Sequence, residues 1–142
     1  MALETEIDAL FAAAKAVQAR AYAPYSRFRV GAALIDEAGR LHAGCNVENA
    51  AYPVGACAEA GAISAMVAAG GTAIRGVLIY GEGEELVTPC GGCRQRIREF
   101  AAPETPVLIA GPDGIRARFT LDALLPASFG PANLRGPAGD AS

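Results

Sequence analysis

The chain has 142 residues, 52% hydrophobic and 19% charged, so it has enough apolar material for one folded domain and lies outside the composition of disordered proteins. Its net charge of −3 at pH 7 argues against a surface that neutralises many phosphates, so we expect no nucleic-acid partner. No stretch approaches the roughly 20 apolar residues that span a bilayer, and no basic leader precedes an apolar run, so we expect a cytoplasmic protein without a membrane partner.

The first part of the chain predicts one helix and one β-hairpin. Apolar residues recur there three or four positions apart, which is the spacing of one helix face. They are Leu3, Ile7, Leu10, Ala14 and Val17. Residues 28–35 and 40–46 then form two β-prone runs on either side of a turn at 36–39, which together predict an antiparallel hairpin.

The second part of the chain alternates helices with strands. Residues 57–69 are rich in alanine and are followed by two glycines, which predicts a helix with its C-terminal stop signal. The apolar run at 74–80 predicts a central strand. A proline directly before residues 90–100 favours a second helix, and strands are predicted at 106–110 and 115–119 around a Gly-Pro-Asp-Gly turn.

The C-terminal part predicts a short helix and a tail. Residues 121–125 form the helix, with Thr120 as its N-cap. Residues 130–142 contain several glycines and prolines, which predicts an irregular tail that can be mobile. We therefore assign residues 1–129 to a single domain and residues 130–142 to the tail.

Three of the four cysteines stand in patterns that predict a metal site. Cys90 and Cys93 have the spacing of metal ligands, although a lone Cys-x-x-Cys equally fits a redox pair or half of a structural zinc ribbon. Cys57, followed two residues later by Glu59, favours a catalytic zinc ion. Three protein ligands leave one coordination position open for water, and Glu59 lies close enough to carry its proton.

The three ligand cysteines all lie at the starts of predicted helices, where N–H donors and partial positive charge favour the thiolate.

The fourth cysteine, Cys45, lies in the second hairpin strand and is expected in the core. The one histidine, His42, is expected to be structural or at the surface, because no nucleophile lies near it in the sequence. The alternating arginines indicate a solvated helix face. They are Arg94, Arg96 and Arg98.

A Cys-x-Glu motif followed by Pro-Cys-x-x-Cys is the signature of zinc nucleobase deaminases. Four longer segments extend the similarity: PYSRFRVGAAL from position 24, GCNVENAAYPVGACAEA from 44, TPCGGCRQ from 88 and LLPASFGP from 124. In this order, and over nearly the whole chain, they resemble the small homotetrameric cytidine deaminases. The resemblance implies a three-layer α/β/α fold with a five-stranded mixed sheet, in which residues 1–129 are the catalytic domain.

The resemblance also implies how the metal is held. The three motif cysteines would bind one Zn²⁺ per subunit, and Glu59 would be the proton shuttle. Many members with three cysteine ligands carry an arginine directly after this glutamate, where it hydrogen-bonds the thiolates, but this chain has Ala60 there. Three thiolates exceed the charge of Zn²⁺ by one, so we expect the two helix N-termini, aided by Arg94, to offset the excess.

The remaining implied roles concern the substrate. Asn46 and Glu48 match family residues that bind the ribose 3′-hydroxyl, Phe28 matches a ring that packs on the pyrimidine, and the Ala58 N–H would meet the base carbonyl. From the residues alone, Glu48 fits a solvated loop charge equally well, and an aromatic residue that opens a strand is more often core.

Two further aromatic residues imply an oligomer. Tyr52 and Phe129 match residues that reach a neighbouring subunit's active site, so activity would require a homotetramer. Phe129 lies in a loop flanked by glycine and proline, where a large ring has no obvious burial within its own chain.

The implied activity is hydrolytic deamination of cytidine and 2′-deoxycytidine to uridine and 2′-deoxyuridine, with release of ammonia, as in pyrimidine salvage. A deaminase of the same fold that acts on another aminonucleoside would share the cysteine motifs without requiring Asn46 to Asn49. A non-enzymatic zinc-binding module would tolerate the loss of Glu59 and would close the fourth metal position with protein. Deamination of nucleic acid is disfavoured by the acidic charge balance.

Overall fold

A computed structural model describes residues 2–135 and shows helices on both faces of one sheet. The strands are β1 (Val30–Asp36), β2 (Leu41–Cys45), β3 (Ile74–Gly81), β4 (Pro106–Gly111) and β5 (Gly114–Thr120). The α-helices are α1 (Ile7–Gln18), α2 (Ala58–Ala68), α3 (Gly91–Phe100), α4 (Leu121–Leu124) and α5 (Pro131–Arg135). Short 3₁₀ helices cover Ala2–Thr5 and Tyr52–Val54.

The sheet is mixed and has the strand order β2-β1-β3-β4-β5. Strand β1 pairs antiparallel with both β2 and β3, β3 runs parallel to β4, and β4 pairs antiparallel with β5. The parallel pair needs a crossover connection, which α3 supplies. The predicted hairpin, the central position of β3 and the five-stranded mixed sheet are confirmed.

Two apolar layers, one on each face of the sheet, form the core, because side chains alternate along each strand. Ala32 and Leu34 of β1 contribute to the layer beneath α2 and α3, which includes Met66. Their neighbours Ala33 and Ile35 contribute to the layer beneath α1. This arrangement is the three-layer α/β/α architecture expected for the chain.

Two glycines allow the helices to lie directly on the hairpin. A Cβ atom on Gly31 would lie 2.1 Å from the Ala14 carbonyl oxygen in α1. A Cβ atom on Gly44 would lie 2.4 Å from the backbone nitrogen of Ala62 and 2.6 Å from the carbonyl oxygen of Ala58, both in α2. No side chain fits at these positions without a backbone shift, so the sheet fixes where the first turn of α2 lies.

The described part of the tail is not irregular. Residues Pro131–Arg135 form α5, so the prediction of an irregular tail was wrong for this segment. Proline suits the first helical turn, and the Asn133 side chain accepts a hydrogen bond from the Gly130 N–H at 2.8 Å. The rest of the predicted tail, residues 136–142, lies outside the described residues. The Thr120 cap of α4 is confirmed by the hydrogen bond from the Ala123 N–H to Oγ1.

Two residues predicted to be structural have different surroundings. His42 is buried, and its Nε2 lies 2.8 Å from a carboxylate oxygen of Asp36, so its structural role is confirmed. Cys45, expected in the core, is only half-buried at the end of β2. Between residues 2 and 135, no helix is both long and apolar enough to cross a membrane.

Candidate metal and substrate site

Three cysteine side chains converge where α2 and α3 begin. Cys57 is the N-cap of α2, Cys90 is the N-cap of α3, and Cys93 lies in the first turn of α3. Their Sγ atoms all lie within 4.8 Å of one another. Three sulfur donors this close suit a zinc ion, which binds cysteine sulfur at about 2.3 Å. The predicted grouping of these three cysteines is confirmed, and Cys45 is not part of it.

The three thiols differ in their electrostatic surroundings. Backbone hydrogen bonds at the start of α3, chiefly from the Cys93 N–H and also from Gly92, lower the pKa of Cys90. Burial raises the pKa of Cys57 and of Cys93, and the negative charge of Glu59 raises both further. The expectation that helix N-termini favour the thiolate therefore holds for Cys90 and is wrong for the other two, which rely on a bound cation to become thiolates.

Glu59 lies one residue inside α2 with its carboxyl group turned into the protein. The residue is 6% exposed, and burial raises its pKa, while hydrogen bonds from its own backbone and from Cys93 partly oppose the rise. A buried carboxyl group whose pKa is raised binds a proton more readily, which suits a group that accepts a proton and then delivers it. Its position beside Cys93 is the one that a proton carrier at a metal site requires.

The solvated face predicted for the three arginines of α3 holds for Arg96, which is exposed, and is wrong for Arg94 and Arg98, which are half-buried against loops. Arg94 donates to the carbonyl oxygens of Pro89 (2.6 Å) and Leu124 (2.8 Å), so its hydrogen bonds go to the backbone and not to a cysteine sulfur. Arg98 donates to the Ser128 hydroxyl. Arg96 donates from Nη1 to Cys93 Sγ at 3.6 Å.

A cavity of about 510 Å³ adjoins the cysteines. Its lining includes four residues singled out from the sequence: Asn46, Glu48, Tyr52 and Cys57. It also includes two that the sequence reasoning missed, Tyr25 and Ser26. The volume lies in the range of small-molecule sites, and the cavity is continuous with a metal ligand.

Glu48 is anchored rather than free in solvent. Its carboxylate accepts hydrogen bonds from the backbone N–H groups of Tyr25 (2.9 Å) and Ser26 (3.2 Å) and from the Ser26 hydroxyl. The hydroxyl bond and these backbone bonds lower the pKa of Glu48, so the group is ionised. A carboxylate has about four acceptor positions, which leaves room for a ligand hydroxyl. In the segment PYSRF, the serine hydroxyl was the one sequence feature that could have indicated a hydrogen-bond donor for this carboxylate.

Asn46 holds the start of β1 in place. Its Oδ1 accepts from the Val30 N–H at 2.9 Å, and its Nδ2 donates to the Phe28 carbonyl oxygen at 2.8 Å. The next residue, Val47, forms backbone bridges to Tyr22 and Ala56. The wall of the cavity is therefore tied both to β1 and to the segment before α2.

Of the residues expected to contact the base or a neighbouring subunit, only Tyr52 lines the cavity. Ala58 is buried as the first residue of α2, next to Cys57. The Tyr52 ring is 75% exposed and packs edge-on against Tyr25, with 6.1 Å between ring centroids. Phe28 is 49% exposed and Phe129 is 57% exposed, and neither is among the described residues that line the cavity.

Comparisons with known proteins agree with this geometry. The family model described as "Cytidine and deoxycytidylate deaminase zinc-binding region" matches residues 4–109. A cytidine deaminase of Sporosarcina psychrophila is 38% identical over 129 residues, covering 91% of this chain and 95% of the relative. A Mycobacterium tuberculosis (strain H37Rv) cytidine deaminase is 41% identical over 112 residues, covering 79% and 80% of the two chains.

Solved structures agree as well. The crystal structure of cytidine deaminase from Burkholderia pseudomallei superposes with a TM-score of 0.80 at 40% identity, covering 86% of this chain and 98% of that one. The Mycobacterium tuberculosis enzyme superposes with a TM-score of 0.73 at 38% identity, covering 87% and 96%. Since the family model and these relatives span most of the chain, the protein belongs to the cytidine and deoxycytidylate deaminase family.

Proposed function

We propose that the protein hydrolyses cytidine and 2′-deoxycytidine to uridine and 2′-deoxyuridine, consuming water and releasing ammonia. The observation that carries the proposal is the convergence of three cysteine sulfurs and the buried Glu59 beside a cavity of nucleoside size. The likeness to cytidine deaminases over most of the chain supports the choice of substrate.

The cysteines Cys57, Cys90 and Cys93 would hold the zinc ion. When bound, zinc supplies a water molecule that is acidic enough to lose a proton near neutral pH. Glu59 accepts a proton from this water through its carboxylate and delivers it to N3 of the pyrimidine, while the water oxygen bonds to C4. Glu59 then carries the second proton of that oxygen to the amino nitrogen, and the C4–N bond breaks to release ammonia. The raised pKa of Glu59 suits a group that must alternate between both forms in each turnover.

The cavity residues orient the nucleoside. A ribose hydroxyl both donates and accepts, so the Glu48 carboxylate and the Asn46 amide together can satisfy it. Phe28 packs on the pyrimidine, and the Ala58 N–H meets the carbonyl of the base. Because Glu48 already accepts three hydrogen bonds, a substrate without the 3′-hydroxyl would leave only the remaining acceptor position of this partly buried carboxylate unfilled, which disfavours its binding.

The active form is a homotetramer that acts in the cytoplasm, with active sites shared between subunits. The exposed rings of Tyr52, which lines the cavity, and of Phe129 support this part of the proposal, because large exposed rings are suited to contact with a second copy. The cytoplasm suits the site because its reducing conditions keep the three cysteines as thiols.

The proposal is tested by replacing Glu59→Ala and measuring ammonia release, zinc content and circular dichroism. We expect bound zinc and the fold to be retained, while turnover of cytidine falls by at least about 10²–10⁴-fold because the proton carrier is lost. Retained turnover would exclude the mechanism. Deamination by the wild type of cytidine and deoxycytidine, but not of adenosine or cytosine, would establish the substrate class, whereas preference for a different aminonucleoside would reassign it.

A further inference from the structure

Arg96 contacts the metal site from α3, whereas Glu59 belongs to α2. It lies one helical turn beyond Cys93 in α3, a spacing that places both side chains on one face. Its Nη1 donates to Cys93 Sγ at 3.6 Å. Its positive charge also acts on the Glu59 carboxyl group.

The neighbouring arginines cannot supply this contact. Arg94 uses all three of its nitrogens on Pro89, Leu124 and Thr88, and Arg98 is bound to Ser128 and Ala101. In the hydrogen bonds of residues 2–135, Arg96 is the guanidinium that reaches a cysteine sulfur.

The small residue after Glu59 leaves space for Arg96. Ala60 and Arg96 line the same cavity of about 330 Å³ between α2 and α3, together with Ile63 and Ser64. A long side chain at position 60 would extend into this cavity, whereas alanine leaves it open to a guanidinium that approaches from α3. The two helices therefore offer two routes by which a guanidinium can reach the same site.

The thiolates need this charge. Three thiolate ligands exceed the positive charge of Zn²⁺ by one, and the side chain of Cys57, the N-cap of α2, makes no cap hydrogen bond. Cys93 is fully buried, so without a hydrogen-bond donor only the metal would stabilise its negative charge. A charge-assisted hydrogen bond from a guanidinium is among the stronger interactions available to it.

We propose that Arg96 is the positioning residue of the zinc site: it holds the Cys93 thiolate and offsets the excess negative charge that Ala60 leaves uncompensated. The inference rests on the zinc-dependent function proposed above, but it concerns retention of the metal and not turnover. Residues that hydrogen-bond a metal ligand affect metal affinity by about 10–100-fold, which sets the expected size of the effect.

The test measures how fast the purified holoenzyme releases zinc to a chromophoric chelator. Arg96→Gln should release zinc at least about tenfold faster than the wild type. Arg96→Lys, which keeps the charge but loses the planar fork, should be intermediate. Arg118→Gln is the matched control. Arg118 lies on β5 in an exposed ion pair with Glu4, so the variant removes one positive charge without removing a contact to a cysteine. An unchanged rate in Arg96→Gln, or an equal acceleration in Arg118→Gln, would overturn the proposal.

A second measurement reports on the sulfur directly. With Co²⁺ in place of zinc, Arg96→Gln should shift the thiolate-to-cobalt absorption band to lower energy, because a hydrogen bond stabilises the sulfur electrons. Arg118→Gln should leave the band in place. An unmoved band in Arg96→Gln would contradict the contact even if the variant were less stable.

A rescue experiment separates this role from general damage to α3. In the double variant Ala60→Arg/Arg96→Gln, a guanidinium returns to the shared cavity from α2. Zinc release should then return toward the wild-type rate, while failure to rescue would reject charge compensation as the role of Arg96. Because zinc release is read without substrate, a failed deaminase assay and a failed Arg96 proposal remain distinguishable.

Discussion

Asp36 has its carboxylate buried at the turn between β1 and β2, far along the chain from the cysteines. Burial alone would raise its pKa, but hydrogen bonds from His42 and from the backbone N–H groups of Arg40 and Ala38 hold the pKa well below its usual range. The Arg40 guanidinium adds a contact at 2.9 Å. The hairpin turn is thus closed by an ionised group with several donors.

We expect Asp36→Asn to lower Tm at pH 7 by several degrees, because the variant loses the charge that these donors were arranged to meet. The folded pKa of Asp36 lies below its unfolded value of about 3.9, so the stabilisation is present above about pH 4 and is lost as the pH falls toward the folded pKa. The Tm difference from the wild type should therefore be constant down to about pH 4 and should narrow from about pH 4 to pH 2.

The control for this prediction is Asp113→Asn. Asp113 is an exposed carboxylate that pairs with Arg116 within one turn, so its loss should change Tm little. Thermal melts followed by circular dichroism across the pH range provide the measurement. A constant Tm difference for Asp36→Asn from pH 4 to pH 2 would contradict the electrostatic account.

At the residue scale, spacing along the chain was enough to group the cysteines but not to assign the arginines. Cys90 and Cys93 are neighbours on one helix face, and that face follows from their separation alone. Arg94 and Arg96 look equivalent in sequence. In the folded chain, Arg94 meets the loop carbonyls of Pro89 and Leu124, whereas Arg96 meets Cys93. Ser26 was missed because its partner Glu48 is 22 residues away.

At the scale of elements, the contact between β2 and α2 determines where the site lies. Gly44 of β2 touches the backbone of α2 next to Ala58 and Ala62, one turn from Cys57 and Glu59. Because the contact is backbone against backbone, it has no flexible side chain that could yield to a larger residue. The position of the catalytic turn is therefore coupled to the hairpin.

Gly44→Ala should destabilise the protein by about 2–3 kcal/mol, because an added Cβ would have to displace α2. Gly61→Ala is the matched control on the facing helix. Its Cβ would lie 3.5 Å from Gly44 Cα, which is an ordinary contact, and alanine favours the helix by about 1 kcal/mol. Urea unfolding of both variants at one protein concentration measures the difference; equal free energies of unfolding would contradict the close-approach argument.

The order and type of the longer elements followed from hydrophobic spacing and turn residues. Strand β3, helix α2 and the hairpin all formed close to their predicted positions. The elements that were missed are short. The 3₁₀ helix Tyr52–Val54 and helix α5 have too few residues for an apolar period to show, and local hydrogen bonds such as that of Asn133 decide them instead.

At the scale of the whole molecule, several large apolar side chains are exposed. Tyr52 and Val54 in the loop before α2 are exposed, as are Phe28 and Phe129. Tyr52 lines the candidate substrate cavity directly. Contact with further copies of the chain would cover these side chains and close the cavity.

Phe129→Ala should lower kcat/KM for cytidine by at least about tenfold while zinc content stays unchanged, because an aromatic ring buried against the substrate contributes about 1.5–3 kcal/mol. Sedimentation velocity of the wild type is expected to show a tetramer. Hybrids assembled from Phe129→Ala subunits and inactive Glu59→Ala subunits should recover activity, since a Glu59→Ala subunit can lend its Phe129 to a neighbour. Hybrids without recovered activity would place Phe129 in its own subunit's site.

The two hydrogen bonds of the Asn46 side chain fix one wall of the cavity before a ligand binds. This side chain bonds the backbone groups of Val30 and Phe28 just beyond the end of β2, as further residues of that strand would. The conformational entropy of this wall is therefore lost during folding and not on binding, which leaves more of the interaction energy as affinity. A nucleoside would meet a preorganised surface, with slow dissociation as the expected kinetic result.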